Sequence, residues 1–189
     1  MHAAIRVATL AVAAAPVAFA HDGGHVHGFV AGLAHPWLGI DHLLAMAATG
    51  AIAMRQSGGA RLATPTMFLI GILLGSFAAV PIAGGEAAVA LSVVALGVLL
   101  ASAATAPAGI VMGLALVAGA VHGNVHIAEL PPAVGASAWT AGFICASAAL
   151  HALGALVAVA LVRAGAQRGL RWSGGGLAAA GLVLTATRI

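Results

Sequence analysis

Long apolar stretches, separated by short breaks that contain glycine or proline, run through almost the whole of this chain. Hydrophobic residues make up 62% of the 189 residues, 6% are charged, and the mean hydropathy is +1.13. A soluble domain of this length has too little interior to bury so much apolar surface. The sequence therefore predicts an all-α polytopic membrane protein with the lipid bilayer as its surroundings.

The breaks divide the apolar sequence into six predicted transmembrane helices. At about 20 residues per span, these helices cover residues 36–54, 63–82, 87–105, 107–126, 134–162 and 172–188. Two Gly-x-x-x-Gly pairs, Gly71 with Gly75 and Gly109 with Gly113, predict that helices approach closely. The expected fold is a six-helix transmembrane bundle.

The N-terminus has the pattern of a secretory signal peptide. Residues 1–20 contain Arg6, an apolar run and then Ala18-Phe19-Ala20, an A-x-A cleavage site. The alternative is an uncleaved first span. Cleavage leaves His21 as the first residue, outside the cytoplasm.

The arginines predict the same orientation. With the N-terminus outside, Arg188 alone falls on the outer side, whereas the loops predicted to be cytoplasmic hold Arg55, Arg61, Arg163, Arg168 and Arg171. Cytoplasmic loops of membrane proteins carry an excess of basic residues. We therefore expect a multi-pass protein of the bacterial inner membrane.

Several classes of function are disfavoured. One cysteine excludes a disulfide framework within the chain. The net charge of +3 comes from seven scattered arginines, which form no basic patch for nucleic acid. The sequence has no nucleotide-binding loop and no nucleophile–base set, so we expect neither an enzyme nor a permanent cofactor.

Nine histidines outnumber the four acidic residues, and one group begins the first predicted span. This group is His35, Asp41 and His42; imidazole and carboxylate suit divalent transition metals. In a regular helix, His35 and His42 lie about 10 Å apart along the axis. Either His35 is a separate site, or the backbone near Gly39 unwinds and brings the two together.

Further ionisable residues occur along the predicted spans. His122 and His126 have the i, i+4 spacing that places two imidazoles on one helix face, and Glu129 extends that face. His151 lies inside the fifth span and Glu86 begins the third. Other interpretations remain open: His151 as a hydrogen-bond partner of another helix, Glu86 as a capping or interfacial charge, the His122 pair as interfacial, and Asp41 as the partner that fixes a histidine tautomer.

A His-rich segment precedes the first span. Residues 21–34 include His21, His25 and His27, which we interpret as an external metal-collecting arm or, alternatively, an incidental polar tail. The predicted organisation is a signal peptide at residues 1–20, this arm at 21–34, and a permease domain at 35–189.

At these residues the sequence resembles the HupE/UreJ family of nickel and cobalt permeases. The resemblance rests on His-Pro-x-x-Gly-x-Asp-His at residues 35–42, Glu86, His122-Gly123-x-x-His126 with Glu129, and His151. Ile127 departs from the family pattern, which has glycine there, but this replacement leaves the ligand residues of the pattern intact. The resemblance implies uptake of Ni²⁺, or alternatively Co²⁺, for metalloenzymes such as hydrogenase or urease.

The functional hypothesis is a permease without ATP hydrolysis, with a divalent transition-metal ion as its cargo. Nitrogen and oxygen ligands favour Ni²⁺ or Co²⁺ over Cu⁺. The alternatives are a b-type haem protein with axial histidines from facing helices and an accessory subunit that binds metal without transporting it. A homo-oligomer is compatible with each of these hypotheses.

Overall fold

The computed structural model describes residues 26–78, 80–102, 106–128, 130 and 134–188, which form seven α-helices and no β-strand. The helices are α1 (Val26–Leu38), α2 (Ile40–Ala53), α3 (Ala60–Ser76), α4 (Gly85–Ala101), α5 (Ala108–Ala128), α6 (Ala136–Arg163) and α7 (Gln167–Ala186). The all-helical class is confirmed for this part of the chain. The predicted signal peptide, His21, His25, Glu129 and the side chain of His27 lie outside the described residues.

The N-terminal helical region differs most from the prediction. Helix begins at Val26 rather than at residue 36, so much of the segment predicted as the arm belongs to α1. The predicted first span would begin at Pro36, which instead lies near the C-terminal end of α1. The prediction missed this segment because it allowed about 20 residues for the first span, which left the apolar residues 28–34 outside it. In the structure, this segment packs on α6.

Helices α1 and α2 follow α6 along its length in the same direction. The backbone of α1 near Gly32 lies against Trp139, and the backbone of α2 near Gly50 lies against His151. In the same way α3 runs parallel to α5, whereas α4 and α7 are antiparallel, with Gly97 against Gly174. These directions are those expected if consecutive helices run alternately up and down through the bundle, with α1 and α2 together counted as one helix.

One of the two predicted Gly-x-x-x-Gly contacts is confirmed. A Cβ at Gly71 or Gly75 would overlap the backbone of α5. The second prediction is wrong, because a Cβ at Gly109 or Gly113 would meet nothing within 4 Å among the described residues. Glycine is abundant in this chain, with 26 residues, so the spacing recurs on helix faces that carry no contact.

This difference gives a matched pair of substitutions on α5. A Cβ at Gly119 would overlap the carbonyl oxygen of Phe68 on α3, which no rotamer change relieves. We expect Gly119→Ala to lower the unfolding temperature in detergent, since overpacking costs about 1–3 kcal/mol. Gly113→Ala should leave that temperature unchanged or raise it, because alanine favours helix by about 1 kcal/mol. Equal stability of the two variants would contradict the close packing of α5 on α3 at Gly119.

The charged residues separate to the two ends of the bundle. Arg55 donates to the carbonyl oxygens of Leu99 and Leu100, and Arg171 donates to that of Ala101, so both lie at the C-terminal end of α4. Arg188 lies at the opposite end with Glu86, near the start of α4. The bundle thus has an arginine-rich end and an acidic end.

Within the described residues, two helices are long and apolar enough to cross a bilayer, judged by length and composition: Ala108–Ala128 and Ala136–Arg163. Three shorter apolar helices, Ile40–Ala53, Ala60–Ser76 and Gly85–Ala101, accompany them.

Candidate metal site

The break between α1 and α2 brings the first histidine pair together. Gly39 has extended backbone, with φ −93° and ψ 120°, and its carbonyl oxygen accepts a hydrogen bond from the Leu43 N–H at 3.1 Å. The rings of His35 and His42 consequently lie 4.9 Å apart, centroid to centroid. The regular-helix alternative is wrong, and unwinding at Gly39 is confirmed.

Three histidines from three helices converge beside this break. One ligand nitrogen each from His35, His42 and His126 lies within 4.8 Å of the other two. The Nε2 atoms of His42 and His126 are 2.7 Å apart. His42 and His126 are buried and His35 is half-buried. We refer to these three residues as the three-histidine cluster.

Asp41 orients His42 and does not point into the cluster. Its Oδ1 accepts hydrogen bonds from the backbone N–H of His42 at 2.8 Å and from His42 Nδ1–H at 2.5 Å. With the proton on Nδ1, the Nε2 of His42 presents a lone pair, to which His126 Nε2–H donates. This geometry fits the alternative in which Asp41 fixes the tautomer of a ligand histidine.

Arg188 joins the two acidic side chains at this end of the bundle. Its Nη1 donates to Asp41 Oδ2 at 2.6 Å and to Glu86 Oε2 at 2.8 Å. Glu86 lies in the first turn of α4, as predicted, and is 40% exposed. The structure therefore places Glu86 with Arg188 and not within the three-histidine cluster.

His122 lies behind the cluster, one helical turn before His126. Its ring is 5.2 Å from that of His42, and its Nδ1–H donates to the Ala118 carbonyl oxygen at 2.8 Å. The remaining Nε2 is buried and has no hydrogen-bond partner among the residues that the structure describes. The Nε2 of His35 is in the same condition. Both nitrogens can serve as metal ligands.

Two aromatic side chains of α6 support the cluster. Trp139 and Phe143 are stacked, with centroids 4.9 Å apart and planes at 14°. The ring of His35 packs edge-on against both, at 5.3 and 5.8 Å. Phe143 also lies 5.7 Å from His42. The i, i+4 spacing of Trp139 and Phe143 was the available signal for a shared face.

Asn124, which lies between His122 and His126 on α5, forms hydrogen bonds with the connection between α3 and α4. Its Nδ2–H donates to the Val80 carbonyl oxygen at 3.1 Å, and its Oδ1 accepts from the Ile82 N–H at 2.9 Å. These bonds hold residues outside a helix, which accounts for α3 ending at Ser76 rather than at the predicted residue 82. The loop is thereby fixed next to the cluster.

His151 is separated from the cluster by Phe68. The Phe68 ring lies 5.5 Å from the ring of His122 and 5.1 Å from that of His151. Of the predicted ligands that the structure describes, it therefore brings together His35, His42, His122 and His126 with Asp41, and leaves Glu86 and His151 apart.

The fold and site define a strongly apolar helical bundle with a buried histidine cluster of the type that suits a divalent transition metal. The chain belongs to the HupE/UreJ family: the family described as "HupE / UreJ protein" matches residues 8–184. This family is associated with membranes and with nickel and cobalt transport, and is a transporter-type family rather than an enzyme family.

A curated relative extends over nearly the whole chain. Protein HupE of Rhizobium leguminosarum bv. viciae is 40% identical over 186 residues, which cover 93% of this chain and 94% of the relative. No solved structure matches this chain.

Proposed function

We propose that this protein is a permease that takes up Ni²⁺, or Co²⁺, across the bacterial inner membrane. The observation that carries the proposal is the convergence of His35, His42 and His126 within 4.8 Å of one another. Membership of a family associated with nickel and cobalt transport supports it. The ion would supply metalloenzymes such as hydrogenase or urease.

In this proposal the cluster replaces water molecules of the ion. The Nε2 atoms of His42 and His126, now 2.7 Å apart, would separate to about 3 Å or more, because each metal–nitrogen bond is about 2.1 Å long. His126 exchanges its Nε2 proton with water for one on Nδ1, so that it stays a neutral imidazole with Nε2 free for the ion. Asp41 holds the Nδ1 proton of His42 throughout. His122 provides the next nitrogen along α5.

The proposed membrane arrangement has six spans, with α1 and α2 together forming one span interrupted at Gly39. Interrupted helices at ion sites are a recurrent feature of transporters. The arginine-rich end would face the cytoplasm, and the N-terminus would lie outside after removal of the signal peptide. His21, His25 and His27 would collect ions there, and Glu129 would extend the face of α5 that carries His122 and His126.

The decisive experiment is metal flux into proteoliposomes that contain only this chain. We expect saturable Ni²⁺ influx, measured with a trapped metal-sensitive dye, and competition by Co²⁺ stronger than by Zn²⁺ or Cu²⁺. Metal binding without flux would overturn the permease and support the accessory subunit. A Soret band in the purified protein would instead support the haem protein.

Arg188 gives a prediction that concerns affinity. The guanidinium of Arg188, paired with Asp41, repels a dication in the adjacent cluster. Arg188→Gln should therefore tighten Ni²⁺ binding by about three- to tenfold at low salt. Added salt should reduce the difference, since it screens exposed charge. Arg168→Gln, at the opposite end, is the matched control for calorimetric titration. Weaker binding in Arg188→Gln would show instead that the guanidinium is needed to hold Asp41 in place.

A further inference from the structure

A cavity of about 520 Å³ lies between α2, α3 and α6, on the far side of Phe68 from the three-histidine cluster. His151 forms part of its wall, together with residues that include Gly50, Met54, Arg61 and Thr66. Arg61 lies in the first turn of α3, at the arginine-rich end of the bundle. We call this space the His151 cavity.

His151 has no structural partner that accounts for an imidazole at this position. It is 4% exposed, and neither Nδ1 nor Nε2 has a hydrogen-bond partner among the described residues. A buried polar group left in this state costs free energy that an apolar side chain would not. Its one aromatic neighbour within the described part of the chain is the ring of Phe68. The imidazole is therefore available to a ligand that enters the cavity.

Phe68 is placed as a barrier between two such histidines. It is fully buried, with His122 at 5.5 Å on one side and His151 at 5.1 Å on the other. The Nε2 of His122 also has no partner among the described residues. An apolar constriction of this type blocks a hydrated ion until it moves.

We propose that His151 is a second binding site for the divalent cation, on the exit side of a barrier formed by Phe68. The proposal rests on the permease function and deepens it. The ion passes from His122 to His151 when the phenyl ring swings aside, and regains water in the His151 cavity. One imidazole together with water holds a dication weakly, and the positive charge of Arg61 weakens it further, which favours release.

The first test compares binding with flux. We expect His151→Ala to keep equilibrium Ni²⁺ binding at the three-histidine cluster within about twofold, while influx into proteoliposomes falls by about tenfold, a change of about 1.4 kcal/mol in the barrier. Leu153→Ala, an exposed position on the same helix, is the control and should retain both properties. Unchanged influx in His151→Ala, or parallel loss of binding and influx, would overturn the proposal.

The second test needs no flux, so its failure is distinct from failure of the permease. Cys145 is the one cysteine of the chain and is exposed; Cys145→Ser therefore provides a clean background for His151→Cys. A membrane-impermeant thiol reagent should modify this variant from the arginine-rich side alone, and from both sides once Phe68→Ala is added. Modification from neither side, or from both sides with Phe68 intact, would contradict the barrier.

Discussion

His42→Ala is expected to abolish nickel uptake and to weaken Ni²⁺ binding by more than about 100-fold. Loss of a residue that merely orients a ligand already costs about 10–100-fold in metal affinity, and His42 supplies the central nitrogen. Its ring contacts those of His35, His122 and His126, and its Nδ1–H donates to Asp41. Uptake of ⁶³Ni²⁺ by cells and calorimetric titration of the purified protein measure the two effects.

Two further substitutions on α2 serve as an intermediate variant and a control for His42→Ala. Asp41→Asn should give an intermediate loss of about 10–100-fold, because the carboxylate orients His42 rather than binding the ion. Thr49→Ala should retain uptake, since the buried hydroxyl donates to the carbonyl oxygen of Ala45 within the same helix. Normal uptake by His42→Ala at wild-type protein levels would exclude the cluster from the transport path.

Gly39→Ala should weaken metal binding without disrupting the fold. The φ of −93° is accessible to any residue, so backbone strain is not the cause. A Cβ at this position would overlap His42 Nδ1 and press on Asp41 Oδ1. The pair would have to separate, and we expect Ni²⁺ affinity to fall by about tenfold or more. Titration measures the affinity, and circular dichroism and thermal unfolding verify the helices.

Gly59→Ala is the matched control for Gly39→Ala. Gly59 has helical φ and ψ and open space around its missing Cβ, so this variant should bind metal as the wild type does. If Gly39→Ala also binds normally, the break does not position the His42–Asp41 pair. Helical content that falls together with binding would assign Gly39 a structural role instead.

Local patterns were sufficient to predict most of the helices. Apolar runs between glycine and proline breaks predicted α3 to α7, and the arginine pattern predicted which charged residues share an end of the bundle. The same patterns could not decide between a regular and an interrupted helix at Gly39. That choice depends on the contacts of His42 with His126 on α5 and of Asp41 with Arg188 after the end of α7, which are distant in sequence.

The long-range part of the site could not be predicted for the same reason. Arg188 was predicted only as an outer arginine, and nothing local to it indicates Asp41, 147 residues away. Glu86 was expected among the ligands because its residue type is suitable, but an ion pair with Arg188 engages it. The separation of His151 from the cluster depends on a single side chain, Phe68, whose position follows from the packing of α3 on α5.

The span of chain between the ligands also has a consequence for biogenesis. His42 and His126 are 84 residues apart, so a nascent chain that ends before α5 carries two of the three histidines of the cluster. On the proposed function, we therefore expect metal binding to be a late event in assembly. Radioactive nickel retained by chains arrested after α5, and not by chains arrested after α4, would confirm this order.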